Sequence, residues 1–123
     1  MLNSKTLTDR YPIPSLQSFT QHIQGSTYFS RVDLRKAYHQ VSIHEDDRHK
    51  TAIVTSWGLF QYRHLAMGLS NAGQCFQKVI DSVLDSMNNI FCYLDDILVF
   101  NSSKKAHLDT LDKLFKHLNE AGL

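Results

Sequence analysis

The fold is decided by residues 90–100, which read Ile90-Phe91-Cys92-Tyr93-Leu94-Asp95-Asp96-Ile97-Leu98-Val99-Phe100. The apolar runs on either side of the two aspartates are typical of short strands and too short for two helices. The simplest geometry is a hairpin with residues 94–96 at its tip. Asp favours turns on its own account, whereas buried carboxylates need a cation, hydrogen bonds or water. The hairpin alone is therefore compatible with two interpretations of Asp95-Asp96, a polar turn or a metal site, and it favours the turn.

The composition bounds the class of protein. With 123 residues, 42% of them hydrophobic and 20% charged, the chain is expected to form one globular domain, or a subdomain of something larger. The net charge is only +1, so the chain has no overall positive field, which counts against a free-standing nucleic-acid-binding protein. The two cysteines fall in apolar positions, which indicates buried thiols in a reducing compartment. The histidines lack the spacing of a zinc site. Without a membrane-spanning run or a signal-peptide pattern, we expect an intracellular, cytoplasmic protein that is neither secreted nor membrane-bound.

Hydrophobic periodicity divides the chain into helices and hairpins. The patterns predict helices over 15–24 and 70–87, a strand over 27–34, a hairpin over 51–65 divided at Gly58, and a last helix capped by Ser102 or Ser103. Ser70 or Asn71 is the expected N-cap of the long helix. The expected buried face of the last helix comprises Leu108, Leu111, Leu114, Phe115 and Leu118. Helices separated by antiparallel hairpins predict an α+β fold, with an antiparallel sheet and helices packed on one face.

A third carboxylate changes the balance at the hairpin. Asp33 ends the strand 27–34, 62 positions before Asp95 (95 − 33 = 62). If this strand pairs beside the hairpin, Asp33, Asp95 and Asp96 meet at one edge of the sheet. Three carboxylates without a matching cluster of Arg or Lys suit Mg²⁺ or Mn²⁺. Taken alone, Asp33 is better explained as a strand-end cap.

Five blocks carry a resemblance to a known family. Residues 28–41 resemble the first carboxylate motif of reverse transcriptases from gypsy-type long-terminal-repeat retrotransposons. Residues 68–72 with Phe76-Gln77 resemble the second motif, and residues 93–100 resemble the third. The segments 11–14 and 50–52 fit the same pattern in the right order. A lone Tyr-x-Asp-Asp would be weak, but five ordered blocks over about residues 7–123 are specific.

The resemblance implies a polymerase palm-like antiparallel sheet with part of the fingers. Residues 1–10 would be a tail or a truncated fingers remnant, and 11–123 a single incomplete palm domain. The implied reaction is RNA-directed DNA synthesis, in which a nucleotide passes from a dNTP to a primer 3′-hydroxyl on an RNA or DNA template. Asp33, Asp95 and Asp96 would be catalytic and would hold two Mg²⁺ (or Mn²⁺) ions.

The resemblance also assigns the surrounding residues. The implied nucleotide-binding residues are Leu34, Arg35, Lys36, Ala37, Tyr38, Met67 and Gly68. The residues expected near template and primer are Asn71, Gly73, Tyr93 and Leu94. The ring of Tyr38 would leave no room for a ribose 2′-hydroxyl and so select deoxynucleotides, although a packed aromatic residue is the commoner fate of a Tyr. Five basic residues are candidates for phosphate contacts or plain solvated surface: Arg31, Arg48, Lys50, Arg63 and Lys78.

Departures from the family pattern qualify the expected activity. Ala66-Met67 stands where the family usually has Pro-Phe, and Gly73 where it has Pro. The family's upstream fingers segment, primer-gripping hairpin and thumb supply primer and triphosphate contacts that these 123 residues would lack, so we expect little or no polymerase activity from the isolated chain. In a full-length element, the remaining Pol domains (thumb, ribonuclease H and integrase) would be its partners, within a virus-like particle. The alternative is an inactive retrotransposon remnant that serves as a nucleic-acid-binding or interaction module. A third possibility, an RNA-dependent RNA polymerase palm, would typically have an acidic residue at position 38.

Overall fold

The computed structural model describes residues 2–123. Its helices are α1 (Leu16–His22), α2 (Glu45–Arg48), α3 (Ala72–Leu84) and α4 (Lys104–Ala121). Its strands are β1 (Tyr28–Asp33), β2 (Ile53–Thr55), β3 (Gly58–Phe60), β4 (Ile90–Tyr93) and β5 (Asp96–Asn101). Short 3₁₀ helices cover Asn3–Lys5, Ala37–Gln40 and His49–Thr51.

The main sheet is antiparallel, with strand order β1-β5-β4. Strand β5 lies in the middle, so the predicted hairpin of β4 and β5 has β1 as its other neighbour. The register places Asp33 directly opposite Asp96, and the Leu34 N–H donates to the Asp95 carbonyl at 3.1 Å. The strand that ends at Asp33 therefore pairs beside the hairpin, as predicted.

The core lies between one face of this sheet and the two long helices. Ile97 and Val99 of β5 are fully buried against Phe76 and Ile80 of α3 and Leu114 of α4. These side chains recur at strand and helix spacings, which is why the periodicity of the sequence located them. The α+β expectation is confirmed.

The opposite face of the sheet also receives a helix. Phe19 of α1 packs against Phe91 and Phe100, with ring centroids 5.0 and 6.2 Å apart. Both partners lie on the face turned away from α3 and α4, because their positions alternate with those of Cys92 and Val99. The expectation that all helices pack on one face is therefore wrong for α1.

The helix termini and faces differ in detail from the prediction. Ser103 caps α4 by accepting the Ala106 N–H, and Gly122 ends it with φ +76. The prediction that Leu108 and Phe115 belong to the buried face of α4 is wrong, since both side chains are more than half exposed. His107 is buried in that part of the helix instead. It bonds Ser30 on β1 and Asn101 on β5, which ties α4 to the sheet.

The second hairpin is shorter than the sequence pattern indicates. Strands β2 and β3 have three residues each, and Ser56 and Trp57 form the turn, while Gly58 begins β3. Several of the large apolar side chains of this hairpin face solvent, and Trp57 is 88% exposed. The β-rich sequence pattern predicted these strands, but it did not predict whether another element packs against their apolar side chains.

Candidate active site

The β4–β5 hairpin closes with a two-residue turn, Leu94-Asp95. Asp96 already belongs to β5, opposite Tyr93, so the tip is one residue shorter than predicted. Leu94 has φ +55, in the left-handed region that costs a non-glycine residue about 1–2 kcal/mol. Its N–H donates to Gln77 Oε1 at 2.8 Å, and its carbonyl accepts the Cys92 thiol at 3.3 Å. The protein interior thus holds both backbone groups of the strained residue.

Asp33 and Asp95 share one cavity. It has a volume of about 300 Å³ and lies where the end of β1 meets the Leu94-Asp95 turn. Its other lining residues are Leu34, Arg35, Lys36, Ala37, Tyr38, His39 and Met67. Six of the seven residues predicted to bind nucleotide therefore surround the two carboxylates, and only Gly68 does not.

Asp96 has a different environment. Its Oδ1 accepts both Nε and Nη2 of Arg31 at 2.8 Å. It lines a separate depression with Arg31, Tyr93 and neighbouring apolar residues. The premise that the carboxylates lack a basic partner is wrong for Asp96. Arg31, which the sequence suggested as a phosphate contact or as solvated surface, lies two residues before Asp33 on the same face of β1.

The remaining donor set fits a hard divalent cation. Across residues 2–123, no group of three or more Asp, Glu, His or Cys residues is placed to hold a metal ion. Magnesium, however, usually takes only one or two protein carboxylates and completes its shell with water and substrate phosphates. Asp33 and Asp95 supply two carboxylates on one cavity. Arg35 and Lys36 on the same cavity provide positive charge for an anionic ligand.

Tyr38 is both a cavity residue and a packed aromatic. Its ring lies 5.5 Å from that of Phe76, which anchors it to the core. Burial, and then the negative charge of Asp95, raise the pKa of the Tyr38 hydroxyl, so the ring stays neutral at physiological pH. The two sequence-based interpretations of Tyr38 are therefore compatible.

The residues before α3 contact the N-terminal segment. The Gly68 carbonyl accepts Asn3 Nδ2 at 2.7 Å. Asn71 occupies the N-cap position but makes no side-chain cap; its side chain bonds the Leu7 carbonyl and the Asp9 N–H instead. The prediction of Asn71 as the N-cap residue is confirmed by position, but the docked N-terminal segment takes up its side-chain hydrogen-bonding groups, so it makes no side-chain cap. Residues 2–10, in the segment that the sequence suggested was a tail or a truncated fingers remnant, thus contact the loop before α3 through Asn3, Leu7 and Asp9.

Gly73 lies beside the hairpin turn. A Cβ atom at this position would be 3.6 Å from Leu94 Cδ2, an ordinary van der Waals distance. Gly73 and Leu94, both predicted near template and primer, are therefore neighbours. Tyr93 is 40% exposed on the far face of β4, beside Asp96.

Gln77 is the residue whose role sequence reasoning missed. It is completely buried among the apolar side chains of α3, although its position in the second motif was recognised. A glutamine between Phe76 and Ile80, both on the apolar stripe, was the available signal. Its partner across the core cannot be read from helical spacing.

Comparison with known proteins identifies the family. The family model described as "Reverse transcriptase (RNA-dependent DNA polymerase)" matches residues 1–123. The chain belongs to this family. It is 34% identical over 124 aligned residues to the retrovirus-related Pol polyprotein from transposon gypsy of Drosophila melanogaster, and 36% identical to that from transposon 297. Each match covers 99% of this chain and 12% of the polyprotein.

Solved structures share the fold. The foamy viral protease-reverse transcriptase in complex with RNA/DNA hybrid matches 98% of this chain with a TM-score of 0.89 and 23% identity, over 16% of its own length. The dRH form of that protein in complex with double-stranded DNA gives a TM-score of 0.90 and 23% identity over 98% of this chain and 21% of its own. The predicted α+β, polymerase palm-like fold is confirmed.

Membership of the reverse transcriptase family implies dependence on a divalent metal ion in general. In the described part of the chain, no helix has the length and apolarity needed to cross a membrane.

Proposed function

We propose that the chain acts as the palm, with part of the fingers, of an RNA-directed DNA polymerase that transfers a nucleotide from a dNTP to a primer 3′-hydroxyl. The observation that carries this proposal is the single cavity on which Asp33 and Asp95 lie with Tyr38 and two basic residues. The division into residues 1–10 and 11–123 stays a prediction, and so does an intracellular location.

Asp33 and Asp95 would hold two Mg²⁺ or Mn²⁺ ions in this cavity. When bound, such ions lower the pKa of an attacking hydroxyl and neutralise charge on a triphosphate. Arg35 and Lys36 would pair with the triphosphate. Leu34 and Ala37, on either side of them in the sequence, would line the same cavity. Asp96 would join the site only when Arg31 releases it, since the salt bridge now occupies one of its oxygens.

Tyr38 would select the sugar. Its ring is fixed against Phe76 and cannot swing away without losing that contact. A ribose 2′-hydroxyl would then meet a rigid apolar surface with no hydrogen-bond partner. Met67, on the same cavity, would also contact the nucleotide.

The template and primer would lie along the exposed surface beside the turn. Leu94 lies beside Gly73 of α3, Tyr93 is on the other face of the sheet next to Asp96, and Gly68 and Asn71 precede α3. The solved relatives with RNA/DNA hybrid or double-stranded DNA support a nucleic-acid partner. The match to Pol polyproteins supports the remaining Pol domains as partners.

The test is formation of a complex between the purified chain, a primer–template, Mn²⁺ and a fluorescent dNTP. We expect Mn²⁺-dependent dNTP binding that falls at least about tenfold in Asp33→Asn and Asp95→Asn, since each removes a charged ligand. Asp109→Asn, an exposed acid on α4, is the matched control. The ribonucleotide should bind more weakly than the dNTP, and Tyr38→Ala should narrow that difference.

The alternative function predicts another result. A catalytically inactive nucleic-acid-binding module would hold the primer–template equally well with and without Mn²⁺. Its affinity would not change in an Asp33→Asn, Asp95→Asn double variant. That outcome, together with no Mn²⁺-dependent dNTP binding, would overturn the polymerase proposal.

A further inference from the structure

Gln77 uses both ends of its side-chain amide in the core. Its Oε1 accepts the Leu94 N–H at 2.8 Å. Its Nε2 donates to Asp81 Oδ1 at 2.8 Å and to the Cys92 carbonyl at 3.2 Å. Burying an amide is costly unless its groups are paired, so this arrangement fixes the orientation of the side chain.

The partner of this amide is the strained residue of the turn. Leu94, with φ +55, would relax toward commoner backbone conformations unless the surrounding structure determines its geometry. The Gln77 bond to its N–H is such a constraint. Asp95 follows Leu94 directly, so the direction of the Asp95 carboxylate depends on the backbone that Gln77 holds.

A second layer orients Gln77 itself. Asp81, one helical turn further along α3, accepts Nε2 of Gln77 with one oxygen and the Tyr11 hydroxyl with the other, both at 2.8 Å. Tyr11 belongs to the segment before α1. The chain of contacts Tyr11–Asp81–Gln77–Leu94, here called the Gln77 relay, connects that segment to the turn.

Only an amide satisfies all of these partners. Glutamate could accept the Leu94 N–H, but it would bring a carboxylate against Asp81 and leave the Cys92 carbonyl without its donor. Methionine would fill the space and leave the Leu94 N–H unpaired. A glutamine that merely filled the core would not need its acceptor aimed at the one left-handed residue beside Asp95.

We infer that Gln77 is a positioning residue: it fixes the Leu94-Asp95 turn so that Asp95 faces the cavity of Asp33, with Asp81 and Tyr11 orienting its amide. Its effect on a metal ion rests on the proposed function. Its effect on the geometry of the turn does not.

The first experiment compares Gln77→Met with Ile80→Val, a conservative change at a fully buried position of the same helix. Hydrogen exchange of the Leu94 amide is followed by NMR in the full chain. Relative to other core amides, we expect Leu94 to exchange about tenfold faster in Gln77→Met, the factor that corresponds to one ordinary hydrogen bond. Ile80→Val should leave that ratio unchanged. Equal protection of Leu94 in both variants would overturn the inference.

The second experiment measures Mn²⁺ affinity of the same variants by electron paramagnetic resonance. Loss of an outer-shell partner usually weakens metal binding about 10- to 100-fold, and we expect a loss in that range for Gln77→Met but not for Ile80→Val. Wild-type affinity in folded Gln77→Met would overturn the positioning role. If the wild-type chain bound no Mn²⁺, the proposed function would fail, while the Leu94 exchange would still decide the role of Gln77.

Two further variants keep the test decisive if Gln77→Met does not fold. Tyr11→Phe removes only the outer hydroxyl of the relay and should accelerate Leu94 exchange about two- to threefold. The swap Gln77→Glu with Asp81→Asn preserves the net charge and returns a donor–acceptor pair between the two positions. It should restore much of the protection that Gln77→Glu alone removes. No effect of Tyr11→Phe together with no rescue by the swap would overturn the relay.

Discussion

The main sheet and the β2–β3 hairpin have similar residues and opposite environments. In the main sheet, Ile97 and Val99 have no exposed surface. In the β2–β3 hairpin, Ile53 and Val54 are 47% and 86% exposed. Both segments were recognisable as strands from β-branched and aromatic residues. What separates them is contact with α3 and α4, which the main sheet has and the β2–β3 hairpin lacks.

This contrast explains where the candidate site can be rigid. The Leu94-Asp95 turn ends two strands that are packed on a core, and Gln77 reaches it from α3. A strained backbone residue persists only when its surroundings determine it. The turn of the β2–β3 hairpin, at Ser56 and Trp57, is stabilised by local hydrogen bonds: the Thr55 hydroxyl donates to the Gly58 carbonyl at 3.0 Å and accepts the Trp57 N–H at 3.2 Å.

The largest expected effect compares the same substitution in the two regions. Phe76→Ala should lower the free energy of unfolding by about 3–5 kcal/mol, because Phe76 is fully buried and contacts Tyr38. Phe60→Ala on β3 should cost at most about 1 kcal/mol, since Phe60 is half exposed. Urea unfolding of both variants measures the difference. Similar losses would mean that the β2–β3 hairpin is packed as firmly as the sheet.

A pH-dependent effect on stability is expected in the main sheet, at Cys92. Burial, and then the charges of nearby aspartates, raise the pKa of the Cys92 thiol to about 12. Between its ordinary pKa and that value the unfolded chain loses the proton and the folded chain keeps it, so Cys92 makes stability fall by about 1.4 kcal/mol per pH unit as pH rises.

The check for Cys92 is the difference in pH dependence between wild type and Cys92→Ala. The Cys92→Ala variant should be less sensitive to alkaline pH above about 9. Iodoacetamide should also modify the partly exposed Cys75 first and reach Cys92 only on unfolding. Parallel pH profiles, or equal alkylation rates, would contradict the burial of this thiol.

A smaller, stabilising effect is expected at Gly73. Gly73→Ala should raise the free energy of unfolding by about 0.5–1 kcal/mol, because alanine is the better helix former and its Cβ meets Leu94 at an ordinary distance. Thermal unfolding provides the measurement. Destabilisation would indicate that the turn needs the space beside Gly73.

The smallest stability effect is expected at the exposed ion pair. Arg31→Gln should change the free energy of unfolding by less than about 1 kcal/mol, because both partners of the Arg31–Asp96 bridge are solvent-exposed. The same change should strengthen Mn²⁺ binding, since it releases Asp96. Unchanged or weaker binding would mean that Asp96 stays outside the metal site.

The sequence predicted the architecture well because the main elements have strong periodicity. Apolar spacing located α3, α4 and the β4–β5 hairpin. The position of Asp33 at the end of a predicted strand indicated that this strand pairs beside the hairpin, as it does. The failures have a common cause. The pairing of Arg31 with Asp96, the engagement of Asn71 by Leu7 and Asp9, and the exposure of Leu108 all depend on which side chain arrives from another element.

Gln77 illustrates the same limit within the site. Its place in the second motif was visible, but its contact with Leu94 spans 17 positions and requires the packing of α3 under the hairpin. Helical periodicity gives the face on which a residue lies and leaves its hydrogen-bond partner open. The strain at Leu94 was also invisible, because leucine seldom adopts a positive φ.

The most direct test of the central claim is a Mn²⁺ titration of four variants of the purified chain. Asp33, Asp95 and Asp96 are each replaced by asparagine, and Asp109→Asn is the control. The account predicts a large loss of affinity for Asp33→Asn and Asp95→Asn, a smaller loss for Asp96→Asn, and none for Asp109→Asn. Equal affinities for all four variants would contradict a metal site in the cavity that Asp33 and Asp95 share.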